Sequence, residues 1–269
     1  MDRLYVVTPA LILSGLMLLS FMFYSGMRLL GRRPGRSDQR THSKFFGYLI
    51  EYFLWLTAPI EALVLRTRLS PDTLTLASIA LAAGSGLAIA TGHMASAGWL
   101  YIAAALMDIL DGRLARITGQ QTRAGGFLDS IADRWSELLV LSGFAWFLRD
   151  SNWLIPALLA IAGSVMVSYT RAKGGEVGLK LDGGHLQRPE RIAILATGTL
   201  LTAFFEANRE TAEFSVVVIG VALVLVGVGS SVTAVGRLVR GYRELRRQDL
   251  DITARANHVP VAPVPRKAK

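Results

Sequence analysis

Four aspartates in this chain are spaced for joint chemistry. Asp108 and Asp111 stand three residues apart, and Asp129 and Asp133 stand four apart. Both spacings put each pair on one face of a helix. The stretch 97–115 starts apolar and ends in Asp108, Asp111 and Arg113; the stretch 125–148 starts with Asp129, Asp133, Arg134 and Glu137 and then turns apolar. Charged side chains inside membrane spans are costly and mostly functional. If the first stretch descends through a bilayer and the second returns, the two pairs face each other at one depth. Four carboxylates that close repel one another unless cations lie between them. Hard oxygen ligands select Mg²⁺ or Mn²⁺, and two ions among four carboxylates is a common arrangement for phosphoryl transfer. The plain alternative is helix capping, or pairing with Arg113, Arg116, Arg123 and Arg134. It serves carboxylates at a helix N-terminus but not Asp108 and Asp111, which lie at a C-terminal end.

The elements that must position these residues are apolar. Of 269 residues, 52% are hydrophobic, and mean hydropathy is +0.40. This composition is too apolar for an ordinary soluble domain. There is no cysteine, which excludes a disulfide framework and thiolate metal ligands. The net charge of +9 suits a membrane protein with basic cytoplasmic loops. Nucleic-acid binding fits poorly, because much of the basic charge falls between long apolar runs.

Residues 5–24 carry no charge and are long enough to span a bilayer. Residues 31–43 read as a basic linker, and 44–69 as an amphipathic helix lying at the membrane surface. Six further spans are expected at 74–91, 97–115, 125–148, 153–170, 190–205 and 215–236. Ser70-Pro71 should start the first of these. The fold class is therefore an all-α integral membrane protein: an N-terminal transmembrane helix (1–30), a linker, an interfacial helix, a six-span core (70–240), and a basic, disordered cytoplasmic tail (241–269). Lys/Arg counts put the 116–124 and 171–189 loops and the tail in the cytoplasm, with residue 1 outside. His42, His93, His185 and His258 are scattered and read as loop or linker residues.

The segment Asp108-Ile-Leu-Asp111-Gly112-Arg-Leu-Ala115-Arg116, then Gly125, Asp129 and Asp133, resembles the full signature D-x2-D-G-x2-A-R-x8-G-x3-D-x3-D of CDP-alcohol phosphotransferases. All eight specified positions match. The resemblance implies six transmembrane helices with a site at the cytoplasmic boundary of the cell membrane. It implies that Asp108, Asp111, Asp129 and Asp133 hold two Mg²⁺ or Mn²⁺ ions, with Asp133 also the general base. Asp72, Thr75, Gly112, Arg116 and Thr122 are implied as contacts to a CDP-diacylglycerol donor, and a homodimer is implied as the assembly. Gly125 and Gly126 are expected to let the metal-bearing helices approach closely.

A second segment runs from Ser168-Tyr169-Thr170-Arg171-Ala172-Lys173 through Asp182-Gly183-Gly184 to Gln187-Arg188-Pro189-Glu190-Arg191. It resembles the acceptor-side loop of bacterial phosphatidylinositol-phosphate synthases. It departs at Lys173, where arginine is common, and at Gly175, where an acidic residue is usual. The resemblance makes inositol phosphate the expected acceptor. Arg171, Lys173, Arg188 and Arg191 offer cations for a phosphate that a neutral alcohol would not need. The alternative is a phosphatidylglycerol-phosphate synthase using glycerol 3-phosphate. A transporter or scaffold is disfavoured, since its polar groups would lie at the bilayer midplane.

Overall fold

Helix starts and stops follow signals written in the chain. The computed structural model describes residues 2–30, 44–67, 69–184, 186–207 and 211–257. Its helices are α1 (Asp2–Leu29), α2 (Lys44–Thr67), α3 (Pro71–Ala90), α4 (Met94–Thr118), α5 (Arg123–Phe147), α6 (Leu154–Glu176), α7 (Arg188–Ala207) and α8 (Ser215–Asn257). No strand occurs among the described residues. Ser70 caps α3 by accepting the Thr73 N–H, with Pro71 at the first helical position. Gly119 stops α4 in the left-handed conformation, φ 68°. Thr122 starts α5, its Oγ1 accepting the Gly125 N–H at 2.9 Å.

Helices occupy all seven expected spans and the 44–69 segment. Four of them are long and apolar enough to cross a bilayer: Pro71–Ala90, Met94–Thr118, Leu154–Glu176 and Ala212–Leu250, the last including a 3₁₀ turn at Ala212–Phe214. In α1 the described apolar stretch, Gly15–Leu29, is shorter. The N-terminal halves of α5 and α7 carry charged residues that dilute their apolar character.

The expected tail is corrected over 241–257, where α8 continues unbroken to Asn257. After Gly241 no glycine or proline intervenes before Pro260. The Arg, Glu, Leu and Gln of that stretch are good helix formers, so its charge was no sign of disorder. The linker 31–43, His185 and residues 258–269 lie outside the described residues.

α3 packs closely on both α4 and α5, and α6 packs closely on α8. A Cβ at Gly143 of α5 would strike the backbone of Gly86 of α3. These helices therefore meet backbone to backbone. The same holds between α6 and α8, where a Cβ at Gly163 would lie 3.0 Å from the Gly227 carbonyl oxygen. The expected role of Gly125 and Gly126 is corrected: a Cβ at Gly126 would meet nothing within 4 Å, and α4 and α5 touch little. The two aspartate-bearing helices are held by α3 rather than by each other.

The polar side chains of α2 serve its neighbours. Glu51 pairs with Arg28 of α1 at 2.6 Å, and Tyr48 donates to Ser25 at 2.7 Å. Tyr24, Tyr52 and Trp55 build an aromatic seam between the two helices. Glu61 receives a two-pronged contact from Arg113 of α4, at 2.7 and 3.1 Å. Val64 packs against the cluster of Leu74, Leu110 and Leu114.

Candidate metal centre

Suspending α4 and α5 from α3 brings the ends that carry the aspartates together. Ligand oxygens of Asp108, Asp129 and Asp133 all lie within 4.8 Å of one another. Asp111 is buried beside them and accepts from the Thr75 hydroxyl of α3 at 2.5 Å. Three of the four aspartates thus form one cluster, and the fourth is fixed by a neutral donor.

Two guanidinium groups reach two of the four carboxylates, Asp108 and Asp133. Arg188, the first residue of α7, puts Nη1 2.6 Å from Asp108 Oδ2 and 2.7 Å from Asp133 Oδ1. Arg134 Nη2 lies 3.2 Å from Asp133 Oδ2. The side chains of Asp108, Asp133 and Arg188 are only 14%, 18% and 19% exposed, so water screens their charges poorly. Asp108 Oδ1 and Asp133 Oδ1 are buried with no hydrogen bond; the Arg188 contact to the latter is close but not directed along a donor. A carboxylate set with oxygens left over fits a divalent cation, whose ligands are hard oxygens at short range. Asp108, Asp129 and Asp133 would hold it.

The donor-side candidates gather at the same helix ends. Asp72 Oδ1 and Thr122 Oγ1 both lie against Gly125, 3.4 and 3.1 Å from where a Cβ would stand. A Cβ at Gly112 would meet only the Arg116 guanidinium, at 3.4 Å. The Arg116 side chain therefore stands over Gly112. Thr75 is committed to Asp111.

The acceptor-side candidates divide. Arg188 reaches the cluster. Arg171 is exposed and pairs with Asp182 at 3.2 Å, and Lys173 pairs along its own helix with Glu176 at 2.7 Å. Arg191 departs from the expectation of an open phosphate ligand. It is 1% exposed, grips Glu137 of α5 at 2.5 and 2.9 Å, and spends its remaining nitrogen on the Leu186 carbonyl. Its guanidinium is thereby directed into the bundle.

Three residues escaped the sequence reading. Glu137 is the buried partner of Arg191, Glu61 is the partner of Arg113, and Arg237 of α8 is 3% exposed. Arg237 donates to the Gly183 carbonyl at 3.0 and 3.1 Å and to the Val167 carbonyl at 2.6 Å, which ties the 179–187 loop to α6 and α8. For Arg237 the available signal was its place as the first charge after a long apolar run, since a buried charge requires partners.

Known proteins resemble this chain in sequence and in fold. The family model described as CDP-alcohol phosphatidyltransferase matches residues 68–229. The phosphatidylinositol phosphate synthase of Mycobacterium tuberculosis (strain ATCC 25618 / H37Rv) is 34% identical over 194 residues, which cover 69% of this chain and 85% of that one. The crystal structure of the M. tuberculosis phosphatidylinositol phosphate synthase with CDP-DAG bound aligns with a TM-score of 0.60 at 31% identity, covering 69% of this chain and 93% of that one. The same enzyme in complex with manganese and citrate aligns with a TM-score of 0.61 at 31% identity, covering 69% and 88%. With four bilayer-length helices and these likenesses, the chain is an integral membrane protein. The matched region begins just before α3 and contains every aspartate of the cluster, and by that match the chain belongs to the CDP-alcohol phosphatidyltransferase family.

Proposed function

We propose that this transferase moves the phosphatidyl group of CDP-diacylglycerol onto inositol phosphate and releases CMP. The observation that carries the reading is the convergence of Asp108, Asp129 and Asp133 within 4.8 Å at the joined ends of α4 and α5. Two Mg²⁺ or Mn²⁺ ions, held by the three clustered aspartates and Asp111, would neutralise the donor pyrophosphate. Asp72, Thr75, Gly112, Arg116 and Thr122 form the donor side, with Arg116 bridging phosphate oxygens through its planar fork. Thr75 also holds the Asp111 carboxylate in place.

Asp133 takes the proton of the acceptor hydroxyl. The hydroxyl oxygen bonds to the phosphorus nearer the lipid, the bond from that phosphorus to the CMP oxygen breaks, and CMP carries away the electron pair. Positioning and charge stabilisation supply most of the acceleration. Arg171 and Arg188 meet the acceptor phosphate, with Lys173 at the rim. Arg191 acts through Glu137 by fixing the start of α7. The site faces the cytoplasm at the cell membrane, by the Lys/Arg distribution, and the family resemblance supports a homodimer.

The test is CMP release from CDP-diacylglycerol with inositol phosphate, glycerol 3-phosphate and free inositol at equal concentration. The highest initial rate is expected with inositol phosphate. A clear win for glycerol 3-phosphate would reassign the acceptor, and a win for free inositol would remove the phosphate-binding role of the basic residues.

A further inference from the structure

Arg188 is held by two of the carboxylates that would ligate a metal ion. One of its nitrogens lies 2.6 Å from Asp108 Oδ2 and 2.7 Å from Asp133 Oδ1. A Mg²⁺ or Mn²⁺ ion takes carboxylate oxygens at roughly 2.0–2.2 Å. An ion held by the same two carboxylates would stand beside the guanidinium, and their like charges repel in this poorly hydrated place.

The Arg188 backbone is not free to yield. Three residues further on, Arg191 is buried and gripped by Glu137. Just before it, the Gln187 N–H donates to Glu190 Oε2 at 3.1 Å, which locks the first turn of α7. Only the long side chain of Arg188 can turn, and it must keep a partner, because a buried cation without an anion is strongly unfavourable.

We infer that Arg188 is an internal competitor for the metal centre, passing from the aspartates to the acceptor phosphate as metal binds, and so coupling the two ligands. The inference rests on the aspartates being the metal centre, as proposed above. An acceptor phosphate that draws the guanidinium away frees Asp108 and Asp133 for the ion. The reciprocal holds by linkage: metal raises affinity for the acceptor phosphate by the same factor.

The experiment titrates Mn²⁺ into the purified full chain by calorimetry, with and without saturating inositol phosphate, for the wild type, R188Q and R188K. For the wild type, inositol phosphate is expected to tighten Mn²⁺ binding about tenfold, within the usual range of such couplings. R188Q should bind Mn²⁺ more tightly than the wild type when inositol phosphate is absent, and gain little when it is added. R188K keeps the charge on a narrower head group and should fall between the two; it carries the comparison if R188Q does not fold. Mn²⁺ affinity in R188Q, or in R188K standing in for it, equal to or weaker than the wild type would overturn the competition. If the wild type binds Mn²⁺ and releases CMP but shows no coupling, Arg188 alone loses its role. If the wild type binds no Mn²⁺ at all, the proposed function fails with it.

Discussion

Asp133 has two charged partners and a place in the carboxylate cluster, which belong to different tasks. It shares Arg188 with Asp108, receives Arg134, and stands among the clustered ligand oxygens. Asp133→Asn preserves the shape but cannot accept a proton. CMP release is expected to fall by about 10²–10⁴-fold, the usual contribution of a general base. Turnover within a few-fold of the wild type would remove that role. Glu137 and Arg191 give a different expectation, because both are buried. Arg191→Ala leaves a buried carboxylate unpaired and should lower stability by about 3–5 kcal/mol, whereas replacing both with leucine should recover most of the loss. Thermal unfolding in detergent reads both variants. The aspartates were legible in the sequence because a carboxylate at a span's C-terminal end has no ordinary structural use. The partner of Arg191 was not legible. Its position in the acceptor-loop pattern gives the residue type, but nothing in a linear chain shows that Glu137 lies across the bundle.

The signature turn of α4 is clamped from two sides. α3 supplies Leu74 and Thr75, and α2 supplies Val64 and Glu61. The Glu61–Arg113 contact is half-buried and two-pronged, so Glu61→Ala should cost on the order of 1 kcal/mol. The swap E61R/R113E should restore part of it, and a swap no better than the single variant in thermal unfolding would show that the pair contributes packing alone. Gly143→Ala places a methyl group against the Gly86 backbone, which cannot move aside as a side chain can. Overpacking of this kind costs about 1–3 kcal/mol, and the shift should appear in both the unfolding midpoint and the activity. Helix boundaries were largely legible, since Ser70-Pro71, Gly119 and Thr122 carry local signals. Partnership between helices was less so. Gly125 and Gly126 looked like packing glycines because they stand beside the aspartates, yet the backbone contact is made further along α5, by Gly143 against Gly86 of α3. Small residues announce close approach without naming the partner.

Across the whole molecule, the Lys/Arg distribution gives a topology that can be measured. The chain has no cysteine of its own, so single replacements report cleanly. Gln121→Cys, between α4 and α5, should react with an impermeant thiol reagent only from the cytoplasmic side, and Asn152→Cys, between α5 and α6, only from the outside. Reversed labelling would invert the membrane orientation and the placement of the site. Chelation should stop CMP release, and Mg²⁺ or Mn²⁺ should restore it. α8 has a further consequence at this scale. Its 43 residues make a rod of about 64 Å, roughly twice the hydrocarbon thickness of a bilayer. About half its length must therefore project beyond the lipid. Arg237 and Gly241 hold that projecting part against the 179–187 loop, where a Cβ at Gly241 would lie 3.2 Å from Leu181. The rod is a lever with its fulcrum at the 179–187 loop, so a load placed near Asn257 would transmit torque to that loop rather than dissipate it in a slack tether.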